Sequence, residues 1–324
     1  MKRKWVFRVA SNREAGGGHV MRSLSLAREL HRYEKVHFLL CPGGEYWIEK
    51  IKKHGIGASI TSNFDIKNIS NFVVDGYDFT DAEFRAWRDN CDRLIFIDDN
   101  NLAPVYADVV IAPGIPDYKS PWGNQVVLSG AQYSLLSPEY ANSRSLPSIS
   151  HVQSALITCG LRDSIDCSGK ALRALANLGF NGSVTVAIGG AAPHLKSLKA
   201  TISLYKCPIS IVVDADGLFS LLLKSDVVIG AGGLGLLERM AVGRPSVTVV
   251  TAGNQIQQAK WAEEIGATIL VNGLGQSFEH DFSGALNRLL SSKGQRKRMS
   301  VNGMKVVDGK GVERVTKYLL DREI

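Results

Sequence analysis

Apolar, β-branched runs alternate with longer amphipathic stretches along all 324 residues, the pattern of βαβ units wound around a mostly parallel sheet. The class is α/β. In the first half, residues 5–10, 36–40, 71–75, 94–98 and 108–111 read as strands, each bounded by small, polar or turn-forming residues. Between them, residues 20–32 carry Val20, Leu24, Ala27 and Leu30 at helical spacing, and a second helix is expected over 46–54, after the turn Pro42-Gly43-Gly44. A second series follows: strands over 155–159, 183–188, 209–213, 226–229 and 246–250, a helix over 168–178, and a closing helix over 311–323 with no assigned destination. So long a chain exceeds one hydrophobic core. Two Rossmann-like domains are expected, 1–145 and 146–324, with sheets facing across a cleft and a hinge in the polar segment 137–153, which holds Pro138 and Pro147.

Composition narrows the class of partner. A content of 45% hydrophobic and 21% charged residues excludes a disordered, collagen-like or multi-span membrane protein. The run Trp5-Val6-Phe7 is cut by Arg8, too soon for a signal peptide or a span, so a cytoplasmic protein without stable membrane insertion is expected. Five cysteines, odd in number and without CxxC spacing, indicate neither a disulfide framework nor a zinc knuckle. The net charge of +7 favours anionic ligands. The basic cluster Lys293, Arg296, Lys297 and Arg298 lacks interleaved aromatics; it reads as a solvated helix face, and no nucleic-acid partner is expected.

The strongest local signal is Gly16-Gly17-Gly18-His19-Val20-Met21-Arg22, between the first strand and the first helix. Glycines let a backbone approach a ligand, and a helix start offers unpaired N–H groups to an oxyanion. His19 then falls in the first helical turn, where an imidazole can take a proton from water. Arg22, three residues on, shares its face. The competing reading is a plain glycine turn with His19 as a cap and Arg22 as a solvated side chain. Asp75 and Tyr77 end a strand at the same sheet edge and join the candidates.

A second glycine turn, Gly230-Ala231-Gly232-Gly233-Leu234-Gly235-Leu236-Leu237-Glu238, enters a helix in the other half. Its start suits a diphosphate, and Glu238 suits the two hydroxyls of a ribose. Here too a bare turn with a solvated Glu238 competes. Asp214-Ala215-Asp216 has the spacing of metal-binding transferases, but Asp216 is expected to cap the apolar run 218–223. Asp98-Asp99 follows a strand and could form a carboxylate pair, but capping of a helix or loop is the expected role.

With these motifs in order, the chain resembles the UDP-sugar hydrolases of pseudaminic acid biosynthesis (PseG type), relatives of the MurG-like glycosyltransferases of the two-domain GT-B fold. The resemblance spans nearly the whole chain. It rests on GGGHVMR at 16–22, VVDGYDF at 73–79, IDDN at 97–100, GAQYSLLSPEY at 130–140, GAGGLGLLE at 230–238, GNQ at 253–255 and VDGKGVERV at 307–315. It implies cleavage of UDP from UDP-2,4-diacetamido-2,4,6-trideoxy-β-L-altropyranose without metal or cofactor. It also implies His19 as the base that activates water, Gly18, Arg22, Tyr77 and Asn254 as substrate contacts, and Gly232, Gly233, Leu234, Glu238 and Gln255 as the UDP site. Two departures stand out. The family's Gly-Gly-Thr-Asp is here Gly160-Leu161-Arg162-Asp163, and Ser137 replaces a basic residue. Two other functions remain open: an inverting glycosyltransferase with the same donor site, and a non-catalytic nucleotide-sugar binding protein. No oligomeric state is implied.

Overall fold

The computed structural model describes residues 4–11, 17–61, 69–120, 122–142, 151–202 and 205–321. Gly16 and the middle of the expected hinge, residues 143–150, lie outside the described residues. The chain forms two compact units, Met1–Pro138 together with Gly309–Ile324, and Glu139–Asp308.

The first unit carries a seven-stranded, wholly parallel sheet, in the order β3-β2-β1-β4-β5-β6-β7. Its elements are β1 (Lys4–Val9), α1 (Gly18–His31), β2 (Lys35–Leu40), α2 (Glu45–Lys52), β3 (Gly57–Ile60), β4 (Ile69–Asp75), α3 (Asp81–Arg88), β5 (Cys91–Ile97), β6 (Val109–Ala112) and β7 (Val126–Ser129). The central strands are apolar on both faces because helices cover both, as parallel sheets require. Each helix earns its place by its buried stripe. α3 starts with a capping box, Thr80 Oγ1 accepting from Glu83 N while Glu83 Oε2 accepts from Thr80 N. It then buries Phe84 and Trp87, whose rings meet Phe72 of β4 and Phe96 of β5 edge-on.

The register sets Val9 against Asp75 and Asp75 against Ile97, so β1, β4 and β5 end level with one another. The strand order reverses at β1, with β2 on one side and β4 on the other. That is the switch point at which such sheets bind ligands.

The second unit repeats the plan with six parallel strands, in the order β10-β9-β8-β11-β12-β13. After α4 (Glu139–Asn142) come β8 (Ser154–Thr158), α5 (Cys167–Asn177), β9 (Ser183–Ile188), α6 (Leu195–Thr201), β10 (Ile209–Val213), α7 (Phe219–Leu223), β11 (Val227–Ala231), α8 (Leu234–Ala241), β12 (Ser246–Val250), α9 (Ile256–Glu264), β13 (Ile269–Asn272), α10 (Phe278–Ser291) and α11 (Lys293–Val306). Ile157, Ile229, Val247 and Val249 pack beneath Phe278, Phe282 and Leu286 of α10. Its own switch point lies between β8 and β11.

Four expectations need correction. The closing helix, α12 (Gly311–Leu320), belongs to the first unit, so the division differs from 1–145 and 146–324 at both ends. It docks there by burying Val312, Val315 and Leu319, and by accepting a hydrogen bond at Leu319 O from Arg93 Nη1 (3.0 Å). The N-cap position of α7 is held by Leu218, not Asp216. Arg296 is buried, not solvated: its Nη1 donates to the last carbonyls of α10, Leu289 O (2.8 Å) and Leu290 O (2.7 Å). β3, β7 and β13 lie where no strand was expected, each only four residues long.

Gly311 is required by packing, since a Cβ there would collide with the backbone of Ser134. Gly311→Val is expected to destabilise the first unit by about 1–3 kcal/mol, and Gly284→Val, where a Cβ meets open space, by much less. Denaturant unfolding of the two variants checks the difference.

Candidate functional site

The first cluster assembles at the switch point of the first unit. The helix start at Gly17 has no side-chain cap, so His19 is not spent on capping. Instead His19 is turned inward and buried, and its Nδ1 lies 2.6 Å from Asp75 Oδ1 at the end of β4. Arg22, one turn later, grips the same carboxylate with Nε on Oδ2 (2.8 Å) and Nη2 on Oδ1 (2.6 Å). Ser23 Oγ donates to Oδ2 (2.8 Å). Asp75 is completely buried and accepts all four bonds.

Burial alone would raise the Asp75 carboxyl. The charges and hydrogen bonds of Arg22 and His19 outweigh it and hold the group well below the ordinary carboxylate range. Burial likewise opposes the Arg22 charge, and Asp75 and Asp99 reverse that, keeping its pKa well above the usual value. The tautomer of His19 follows. An ionised carboxylate at 2.6 Å can only accept, so Nδ1 carries a proton toward Asp75, with Arg22 Nη2 3.1 Å away on the same side, and in the neutral form of that tautomer Nε2 keeps its lone pair. No hydrogen bond to Nε2 is made among the described residues.

Arg22 reaches on to Asp99, beyond the end of β5, with Nη1 2.6 Å from Oδ2. Asp99 Oδ1 in turn accepts from Tyr77 OH (2.5 Å). The Tyr77 ring stands edge-on to His19 at 4.7 Å. Tyr77 is therefore held by the same network that orients the histidine. Asp98 behaves as expected of a loop cap, accepting from Asn100 N (2.8 Å), Leu102 N (2.8 Å) and Tyr118 OH (2.8 Å). Asp99 does not; it joins the site through Arg22 and Tyr77, a role that sequence reasoning ranked below capping. Gly18 fills no packing need, since a Cβ there would meet open space.

The second cluster lies at the switch point of the second unit. Gln255 Oε1 accepts from Gly232 N (3.2 Å) and Thr251 N (2.9 Å), tying the β11 turn to the loop after β12. Gln258 Nε2 donates to Gly232 O (2.9 Å) and Gly233 O (3.0 Å). Gln255 thus braces the turn through its carbonyl. At the start of α8 the N–H groups of Gly233, Leu234 and Gly235 make no hydrogen bond among the described residues. Glu238 is half-buried, with Oε1 accepting from Tyr140 OH (2.7 Å). Burial pushes its carboxyl up, against the pull of that hydroxyl. Asn254 sits in the short turn Gly253–Gln255 beside them.

One cluster among the described residues has metal-ligand chemistry, Cys159, Asp163 and Cys167. Both Asp163 oxygens are already engaged, by Cys167 N (2.8 Å) and Ser168 N (2.9 Å) at the start of α5. Asp214, of the Asp214-Ala215-Asp216 spacing, is likewise committed, its Oδ1 accepting from Gly190 N (3.0 Å). No helix among the described residues is long and apolar enough to cross a membrane.

No family model matches the chain. It is 26% identical over 235 residues to the spore coat polysaccharide biosynthesis protein SpsG of Bacillus subtilis, covering 70% of this chain and 69% of that protein. It is 25% identical over 266 residues to an uncharacterized protein of Methanocaldococcus jannaschii, covering 76% of this chain and 54% of that one. Among solved structures, MurG of Acinetobacter baumannii superposes with a TM-score of 0.69 at 14% identity, over 98% of this chain and 99% of that one. The UDP co-structure of MnaA from S. aureus also gives 0.69, at 13% identity over 99% and 97%. At such identity the likeness is one of fold, two parallel-sheet Rossmann-like units as in GT-B glycosyltransferases.

Asp75→Asn leaves Arg22 and His19 short of their shared anion and is expected to cost about 3 kcal/mol or more. Because folding depresses the Asp75 pKa, its contribution is complete above the unfolded carboxylate value of about 4 and is lost as pH falls below it. Urea unfolding between pH 7 and pH 3 should show a steep acid loss in the wild type and a shallower one in Asp75→Asn.

Proposed function

We propose that the chain is a metal-independent UDP-sugar hydrolase whose first unit supplies the base and whose second unit binds the nucleotide. The observation that carries this reading is the Asp75–His19 pair, with Nδ1 turned to the carboxylate and Nε2 making no hydrogen bond among the described residues, at the carboxyl edge of the sheet. In the step proposed, Nε2 takes a proton from water as its oxygen attacks the anomeric carbon. The bond from that carbon to the diphosphate oxygen breaks, and UDP leaves with the electron pair. Asp75 stabilises the imidazolium formed, as the acid of a catalytic triad does, without itself taking the proton. Tyr77, braced by Asp99, and Arg22 line the space beside the ring, and Gly18 permits close approach.

The nucleotide site of this reading is the β11–α8 turn. The open N–H groups of Gly233, Leu234 and Gly235 and the helix dipole meet the leaving diphosphate, with Gly232, tied by its own N–H to Gln255, at the edge of the same turn. Glu238 keeps Oε2 for the ribose while Tyr140 fixes Oε1. Asn254 and Gln255 complete the rim. The sugar expected from the family resemblance is a diacetamido-trideoxy hexose, and Leu161, Arg162 and Ser137 mark where its recognition would differ.

A second reading, a glycosyltransferase in which an acceptor hydroxyl replaces water at His19, is favoured by the polysaccharide-biosynthesis name of the Bacillus relative and by the fold shared with MurG. One assay separates the two. UDP-linked amino-deoxy sugars are incubated without acceptor and with EDTA, and UDP and free sugar are measured. Stoichiometric release by the wild type supports the hydrolase; binding without release until a hydroxyl acceptor is added supports the transferase.

His19→Ala is expected to lower kcat by about 10²–10⁴-fold with UDP affinity little changed. Glu238→Ala should weaken UDP binding first. Unchanged turnover in the former sinks the base assignment, and unchanged UDP affinity in the latter sinks the ribose assignment.

A further inference from the structure

Directly beneath the turn assigned to the diphosphate lies a cation that the reaction above leaves unused. Arg239, in the last turn of α8, is completely buried. Its Nη2 donates to Ala231 O (3.0 Å) and Thr248 Oγ1 (3.0 Å). Nε and Nη1 make no hydrogen bond, and no carboxylate among the described residues forms an ion pair with the group. The adjacent Glu238 is turned to Tyr140. Nη1 lies 2.5 Å from where a Cβ of Gly230 would stand and 3.4 Å from that of Gly235. Two glycines of the motif therefore make room for the guanidinium. Burial pushes its pKa down to about 10, which leaves it charged at neutral pH.

A buried cation with no ion-pair partner among the described residues is an expensive arrangement, which a bound anion would offset. The open N–H groups of Gly233, Leu234 and Gly235 crown the same turn, and Ala231, which Arg239 holds by its carbonyl, begins it. We propose that Arg239 is a positioning residue for the diphosphate: it fixes the β11–α8 turn from below and supplies the positive charge that the bound anion completes. This inference rests on the reading of the turn as the UDP site.

The test is calorimetric titration of UDP and of uridine into the wild type, Arg239→Lys, Arg239→Met and Arg239→Gln, with melting temperatures read with and without UDP. The neutral variants should bind UDP about 10-fold or more weakly while uridine affinity changes little, which contracts the preference for the diphosphate. Arg239→Lys should restore most of that preference. Without ligand, the Met variant should melt no lower than the wild type, because an unpaired buried charge has been removed, and its UDP-induced shift should be smaller. If one neutral variant fails to fold, the other carries the comparison. A neutral variant that keeps the wild-type ratio of UDP to uridine affinity, or that weakens both ligands equally, overturns the proposal and makes Arg239 a strut. A wild type that binds no UDP overturns the nucleotide site itself, a failure distinct from that of Arg239.

Discussion

One carboxylate organises the first unit. Asp75 ends β4 with both oxygens saturated by donors that all belong to α1, namely His19, Arg22 and Ser23. It therefore welds the first turns of that helix to the centre of the sheet. The same bond that secures the helix chooses the protonated nitrogen of His19, so the scaffold and the base cannot be adjusted independently. Arg22 extends the weld to Asp99 and Tyr77. Buried ion pairs add stability only when their remaining donors and acceptors are satisfied, and here every Asp75 acceptor position in use faces a named donor.

The two sheets reach the same topological point with opposite chemistry. At the first, ionised side chains converge and backbone groups play little part. At the second, the main chain presents its own N–H groups, and the braces, Gln255 and Gln258, are neutral amides pinning glycine peptides. The difference suits the tasks proposed for them. Moving a proton needs a titratable ring held in one tautomer, whereas an anion that must be released after each turnover is met by fixed backbone dipoles, with the charge of Arg239 set beneath the turn.

Long apolar strands such as Ser183–Ile188 and Ser246–Val250 are legible because β-branched runs bounded by turns leave few alternatives. β3, β7 and β13 escape because four residues at a sheet edge carry too little pattern. His19, Arg22 and Tyr77 could be picked out from their place after predicted strands. Asp99 could not, since its role depends on β5 lying next to β4 and on the register that levels their ends, neither of which a linear pattern states. Arg239 and Arg296 look in sequence like ordinary polar-face arginines, and only packing shows them buried.

The return of α12 to the first unit makes the second unit an insertion within the first. During synthesis the second unit therefore emerges as one continuous stretch and can close its sheet before α12, which completes the first, has been made. Completion of the first unit consequently waits on a segment made after the whole of the second. It is the unit that holds His19, so the base is seated on a finished scaffold only after the second unit has been made.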